Sequence, residues 1–356
     1  MKKNLLNIII ILITAVALFV LVFSSSGSKI YDVMANLKLN WILLAVLGMI
    51  IYWLLEGAIF QFICLIHLGN FNFYSSLRFS MMGQFFNAIT PFSSGGQPLQ
   101  AWCMIRNGVK PGHTISILVV RSMIFQLCML IYSIIFFIFE AKYFITYIDR
   151  FLVFFIVGIL ANVLMLFLYI LFLFNKSAAE NVVQGVFRFL NKIRLIKNPE
   201  KYVHKIEVEL ESFSEGVNAC KGKLKDILKV LFLQILQFTA FYSIAFFIFK
   251  AMEDGKGQFF NVTGTNAILY MVTFIVPSPG ASGGAEGMSY LFFRHFFTEG
   301  HIAPFILIMR TITFYFNIIF GGLVSALSPE KPFKSADSVE DYPLEETKNG
   351  NDNQLL

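Results

Sequence analysis

The chain has 356 residues, 57% of them hydrophobic and 14% charged. Soluble domains are roughly one quarter charged, and 42 phenylalanines are more than a soluble globule of this size can turn inward. The composition excludes a soluble protein and predicts an all-α, polytopic integral membrane protein. The formal net charge is +6, and ten of the 28 Lys/Arg lie in one internal loop. Basic residues there report orientation and contact with anionic lipid, not nucleic acid.

The N-terminus opens with Lys2 and Lys3, followed by an apolar run Leu5–Phe23. A signal-peptide core spans roughly 7–15 residues, so this longer run predicts an uncleaved first span. A spanning helix needs about 20 apolar residues. Trp41–Ile66, Ile115–Phe139, Phe151–Phe174, Val230–Phe249 and Ile302–Leu327 also meet that length, which gives six spanning helices.

Two further apolar regions are broken. Phe79–Ile105 is interrupted by TPFSSGGQP, and Gly264–Phe297 by PSPGASGGAEG, Pro277–Gly287. Each break leaves two arms of 8–14 residues. Arms of that length suit re-entrant hairpins of two half-helices.

The polar insert 175–226 holds ten Lys/Arg and seven Asp/Glu. Val182, Val183, Val186, Phe187, Leu190 and Ile193 recur there at helical spacing, as in a helix lying on a membrane surface or packed on the protein's own loops. The tail 328–356 carries seven acids against three lysines and is expected to be disordered. Residues 1–327 thus read as one transmembrane domain.

Treating both broken regions as re-entrant, with the N-terminus inside, puts 19 basic residues in the cytoplasm and seven outside. A full crossing by Phe79–Ile105 would move the basic loop outside, against the positive-inside rule. Both termini are then expected in the cytoplasm.

The two breaks repeat. Pro91, Ser94, Gly95 and Gly96 align with Pro279, Ser282, Gly283 and Gly284 at a constant offset of 188. A lone arginine lies inside the next apolar span each time: Arg121 is 25 residues after Gly96, and Arg310 is 26 after Gly284. The halves, about 41–139 and 230–327, form an inverted repeat on the expected topology. Paired Gly/Pro interruptions in such repeats point to a transporter's binding site.

The chemistry expected at the breaks is anion binding. Half-helix ends present backbone amides and a partial positive charge. Ser94 and Ser282 add hydroxyls, and Gly95, Gly96, Gly283 and Gly284 allow positive φ and close approach. A charge near the centre of a span costs several kcal/mol, so Arg121 and Arg310 should face a cavity or a partner. Glu286 and Glu56 are the candidate counter-charges. A structural Arg–Glu lock between the halves is the alternative to two cationic stations for a phosphate. Arg106 and Lys110 follow the first hairpin as loop charge. Cys64, Cys103, Cys128 and Cys220 and the five histidines show no metal-ligand spacing, so no metal or cofactor is expected. No Walker motif is present.

TPFSSGGQPLQAWCMIRNGV, PSPGASGGAEG and RTITFYFNIIFGG together resemble the transmembrane region of the lysylphosphatidylglycerol synthase family, over about residues 5–327. The resemblance implies a bacterial plasma-membrane protein. Full-length members make aminoacylated phosphatidylglycerol and move it to the outer leaflet, which blunts cationic antimicrobial peptides; the membrane part is the flippase. Ser94, Gly95, Gly96, Arg121, Gly283, Gly284, Glu286 and Arg310 fall at matching positions. Gln97 stands where many members carry Glu. The longest polar stretch here, 52 residues, is too short for an independent aminoacyl-transfer domain. Lysyltransferase activity is therefore not expected of this chain alone.

The functional expectation is a lipid-binding or lipid-translocating protein for a phospholipid or polyprenyl-phosphate-linked lipid. The alternatives are an accessory to a separate synthase or glycosyltransferase, docked through 175–226, and a small-solute transporter. Membrane lipids are the expected partners, and oligomers are compatible with the sequence.

Overall fold

The computed structural model describes residues 35–147, 151–174, 212–252, 257–274, 276–297 and 300–327. The predicted first span, the amphipathic stretch 182–193 and the acidic tail lie outside the described residues. No strand occurs among the described ones.

The first helix, α1, is Leu39–Leu68. It ends at Gly69, whose left-handed φ of 72° lets its amide return to the Leu65 carbonyl, a glycine C-cap. Helix α2 is Phe73–Ile89, opened by Asn72, whose side chain accepts from the Tyr74 amide. Thr90 is extended before Pro91, as proline requires of its neighbour. A 3-10 turn, Pro91–Ser93, leads to α3, Gly96–Arg106. Then follow α4, Pro111–Tyr147, and α5, Phe151–Phe174. Pro111 at the start of α4 gives up an amide that has no intrahelical partner there.

The second half opens with α6, Leu224–Met252, and α7, Phe259–Thr273. A second 3-10 turn, Pro279–Ala281, precedes α8, Gly284–Phe293. The last span is α9, Ile302–Arg310, a π-helical turn at Thr311–Tyr315, and α10, Phe316–Leu327.

Among the described residues, five stretches are long and apolar enough to cross a membrane: Leu39–Leu68, Pro111–Thr146, Leu152–Leu173, Leu224–Met252 and Ile302–Leu327. They coincide with the later five of the six expected spans. The chain is a multi-pass membrane protein. The broken regions form arms of 17 and 11 residues, α2 and α3, and of 15 and 10 residues, α7 and α8. The leading arms are longer than expected, because α2 starts at Phe73 and α7 at Phe259, before the most apolar stretch.

Packing is reciprocal between the halves. Helices α1 and α6 lie along one another as the most extensive pair. Arm α2 packs on α10, and arm α7 packs on α4. Each leading arm thus leans on the closing span of the other half, and the two 3-10 turns meet between them. Helix α5 stands aside and exposes Leu152, Ile156, Leu160, Leu164 and Phe167, an apolar flank that needs hydrocarbon rather than water. Its buried Asn162 is tied to Gln126 of α4. A buried amide pair of this kind fixes one helix against the next where water cannot compete.

The end of the polar insert is also anchored. Lys223 donates to the Ile66 carbonyl at the end of α1, 2.6 Å away. Nδ1 of His67 donates to the Ile63 carbonyl at 2.8 Å, which leaves its Nε2 facing Ser116 Oγ and Cys220 Sγ. Burial pushes the Cys220 thiol up, so it is a neutral neighbour of the imidazole.

Candidate functional site

The tips repeat in backbone as well as in sequence. Phe92 and Ser93 have φ of 55° and 50°; Gly280 and Ala281 have 56° and 55°. These positions are paired by the same offset of 188, yet their residue types do not match. Three of the four carry side chains in the left-handed region, at about 1–3 kcal/mol of strain each. The expectation that the paired glycines supply the positive φ therefore holds for Gly283, at 82°, but not for Gly95, at −79°.

Gly95 and Gly96 are required for space. A Cβ on Gly96 would lie 2.6 Å from the Gly83 carbonyl oxygen of α2 and against Asn87 Oδ1. A Cβ on Gly95 would lie 2.6 Å from Thr90 Cγ2. The reason for the close approach is hydrogen bonding. The Gly95 amide donates to Thr90 Oγ1 and the Gly96 amide to Asn87 Oδ1, each at 2.8 Å. In the second tip the Gly283 amide donates to Glu286 Oε2 at 2.6 Å. The amides expected to face a ligand at these three positions are thus bonded to the protein itself. Ser94 Oγ likewise turns back to the Pro91 carbonyl.

Arg121, inside α4, meets two other helices, α1 and α3. It forms an ion pair with Glu56 of α1. Its Nη1 donates to Gln100 Oε1 of α3 at 2.7 Å. Its guanidinium lies 5.1 Å from the centre of the Phe60 ring. Glu56 is 4% exposed. Its other oxygen accepts from Gln237 of α6 at 2.5 Å. One buried carboxylate therefore joins α1, α4 and α6. Gln97, the departure from the family pattern, donates to Ser122 Oγ next to Arg121 at 2.8 Å.

Arg310 is held by its own half. Its Nε lies 2.9 Å from Glu286 Oε1. Its Nη2 donates to the Gly280 carbonyl at 3.1 Å and lies 3.5 Å from Ser282 Oγ. Its guanidinium sits 4.1 Å from the centre of the Phe314 ring. Glu286 thus serves both the start of α8 and Arg310. The π-helical turn begins one residue later, a local change of register common at functional sites. The two candidate counter-charges are thereby assigned, Glu56 to Arg121 and Glu286 to Arg310.

Both arginines border one cavity of about 270 Å³. Ser93 of the first tip and Gly280 and Ala281 of the second also line it, as do Gln97 and Glu56. Ser94, Gly95, Gly96, Ser282, Gly283, Gly284 and Glu286 are not among the residues that line it. The remaining lining includes Gln84, Asn87, Gln100, Gln126, Asn266 and Asn317, which sequence reasoning did not single out. The signal was there: a carboxamide in hydrocarbon costs several kcal/mol unless bonded, so each one inside an apolar run requires a partner or a cavity. Arg106 stacks 4.3 Å from the centre of the Trp102 ring and does not border the cavity.

A UPF0104 membrane protein of Archaeoglobus fulgidus is 27% identical over 303 residues, which cover 80% of this chain and 86% of that protein. The sequence model for the lysylphosphatidylglycerol synthase TM region matches residues 6–321, which hold both tips, both arginines and the cavity lining. The chain belongs to the lysylphosphatidylglycerol synthase TM region family.

Proposed function

We propose that this protein binds the head of an anionic membrane lipid in the two-arginine cavity and moves it between leaflets. One observation carries this reading: Arg121 and Arg310, one from each half, border a single cavity floored by both hairpin tips. Buried guanidinium groups suit a phosphate, which they bind through planar paired donors. The reciprocal packing of α2 on α10 and α7 on α4 supports reading the halves as an inverted repeat with re-entrant hairpins. Such a repeat offers the cavity to either side by rocking one half against the other. The phospholipid or polyprenyl-phosphate lipid would sit with its chains outside, because about 270 Å³ lies at the small end of ligand pockets, roughly 300–1,000 Å³. The basic loop and the arginine positions favour a plasma-membrane protein with cytoplasmic termini.

The test is leaflet exchange of fluorescent anionic lipids in vesicles carrying the full chain. Wild type should accelerate exchange over empty vesicles. The paired neutral variant Arg121→Gln/Glu56→Gln, which leaves no lone buried charge, should lose most of that acceleration while melting as a folded protein. Equal exchange by wild type, variant and empty vesicles would reject the reading.

A further inference from the structure

The cavity lining keeps hydrogen-bonding capacity that is unspent and uncharged. Of the seven lining carboxamides, Gln100 and Asn317 use both ends within the protein and the other five use one. Gln84 Nε2 donates to Tyr52 Oη at 3.0 Å, Gln97 Nε2 to Ser122 Oγ, and Asn266 Nδ2 to the Tyr242 carbonyl at 3.2 Å. Gln126 Nε2 donates to Asn162. Asn87 is the reverse, accepting from the Gly96 amide. What remains open among the described residues is the carbonyl oxygens of Gln84, Gln97, Gln126 and Asn266, both N–H groups of Asn87, and the second N–H of each amide already bonded once. All five side chains line the cavity.

Neutral acceptors and donors side by side call for a ligand that offers both. An ammonium group would seek a free carboxylate, but Glu56 and Glu286 are both engaged by arginine. Hydroxyls fit instead, since they donate to carbonyls and accept from amides without bringing a charge into a low-dielectric site. Aromatic faces of Tyr52, Tyr270, Phe241 and Phe274 also border the space, and the C–H faces of a polyol ring pack on such surfaces.

We infer that the cavity selects a polyhydroxylated headgroup, an inositol- or sugar-like ring carried on the phosphate that the arginines hold. The inference rests on the lipid reading above and adds the class of headgroup. The carbonyls of Gln84, Gln97, Gln126 and Asn266 take the hydroxyl protons, and the open N–H groups of Asn87 and the other amides donate to the hydroxyl oxygens.

The experiment is native mass spectrometry of the purified full chain with equimolar phosphatidylinositol, phosphatidic acid and phosphatidylethanolamine. Wild type should retain phosphatidylinositol about tenfold over phosphatidic acid, the size expected for one or two net hydrogen bonds. In Gln84→Met and Gln97→Met, which keep length but remove the acceptor, that ratio should fall towards one. Equal retention of phosphatidylinositol and phosphatidic acid by wild type overturns the headgroup inference and leaves the lipid reading standing. Preference for phosphatidylethanolamine overturns it in favour of an ammonium. Retention of none of the three overturns both. Glycerophosphoinositol, the same head without acyl chains, separates the sources: binding as tight as the lipid's would keep the polyol inference and reject the lipid reading.

Discussion

The two arginines occupy matching places in the repeat but are held in different ways. Arg121 reaches out of its own helix to Glu56 on α1, and through it to Gln237 on α6. Arg310 is held by the tip of its own hairpin, through Gly280, Ser282 and Glu286. The side chain of Glu56 is 5% exposed and that of Glu286 is 36% exposed. A repeat can conserve the position of a charge while changing what anchors it. Here the first half uses its arginine to join three helices, and the second uses its arginine to shape a turn. A ligand that loosened Arg121 would be felt across the interface of the halves. One that loosened Arg310 would be felt at the second tip.

The largest expected effect breaks the first of these anchors. Glu56→Gln leaves the Arg121 guanidinium buried with Gln100 and the Phe60 ring but no counter-charge. Losing one partner of a buried pair costs about 3–5 kcal/mol. Glu286→Gln should cost only about 1–2 kcal/mol, since the glutamine can still accept from the Gly283 amide and the ion pair lost is partly solvated. Unfolding in graded denaturing detergent measures both. Equal losses would mean the two sites are equivalent and the contrast is mistaken. Adding Arg121→Gln to Glu56→Gln should recover part of the loss, because a neutral pair carries no desolvated charge.

The next contrast lies between glycines of the second tip. Gly280→Ala forces a Cβ at φ of 56° into the Phe314 ring and to 3.0 Å from the Ala88 carbonyl oxygen of α2. Overpacking added to backbone strain predicts about 2–4 kcal/mol. Gly283→Ala has φ of 82° but open space around the Cβ, so it should cost about 1–2 kcal/mol from conformation alone. In the first tip, Gly96→Ala should fall between them, at about 1–3 kcal/mol, from crowding without strain. A Gly283→Ala loss as large as that of Gly280→Ala would show that space at the meeting of the tips does not matter.

Much of this was legible in the sequence, and for a physical reason. Run length reports bilayer thickness, so spans such as Trp41–Ile66 and Phe151–Phe174 could be placed to within a few residues. The P-x-x-S-G-G repeat and the two membrane arginines pointed to one cavity because both are costly in hydrocarbon. What the sequence hid depends on local three-dimensional turns. Nothing in the residue types at 92, 93, 280 and 281 announces a shared left-handed backbone. Thr90 and Asn87 lie upstream of the glycines they cap, in α2 and at its end, where periodicity reads them as ordinary helix. The partner of each arginine was undecidable from spacing, since Glu56 is on a helix that precedes the hairpin.

The smallest effect tests whether the tips are alike in strain, as their backbones are. Ala281, at φ of 55°, and Ser93, at φ of 50°, occupy equivalent positions. Replacing either with glycine removes about 1–2 kcal/mol of left-handed strain. It also frees the unfolded chain, at about 0.4–1 kcal/mol. Ala281→Gly and Ser93→Gly should therefore each stabilise the protein by about 0.5–1 kcal/mol, read as a small upward shift in melting temperature. Ser93 makes no side-chain hydrogen bond among the described residues, so the comparison is not confounded by a lost contact. If Ser93→Gly destabilised while Ala281→Gly stabilised, the first tip would depend on its hydroxyl in the cavity. The asymmetry between the halves would then extend from the arginines to the turns that meet beneath them.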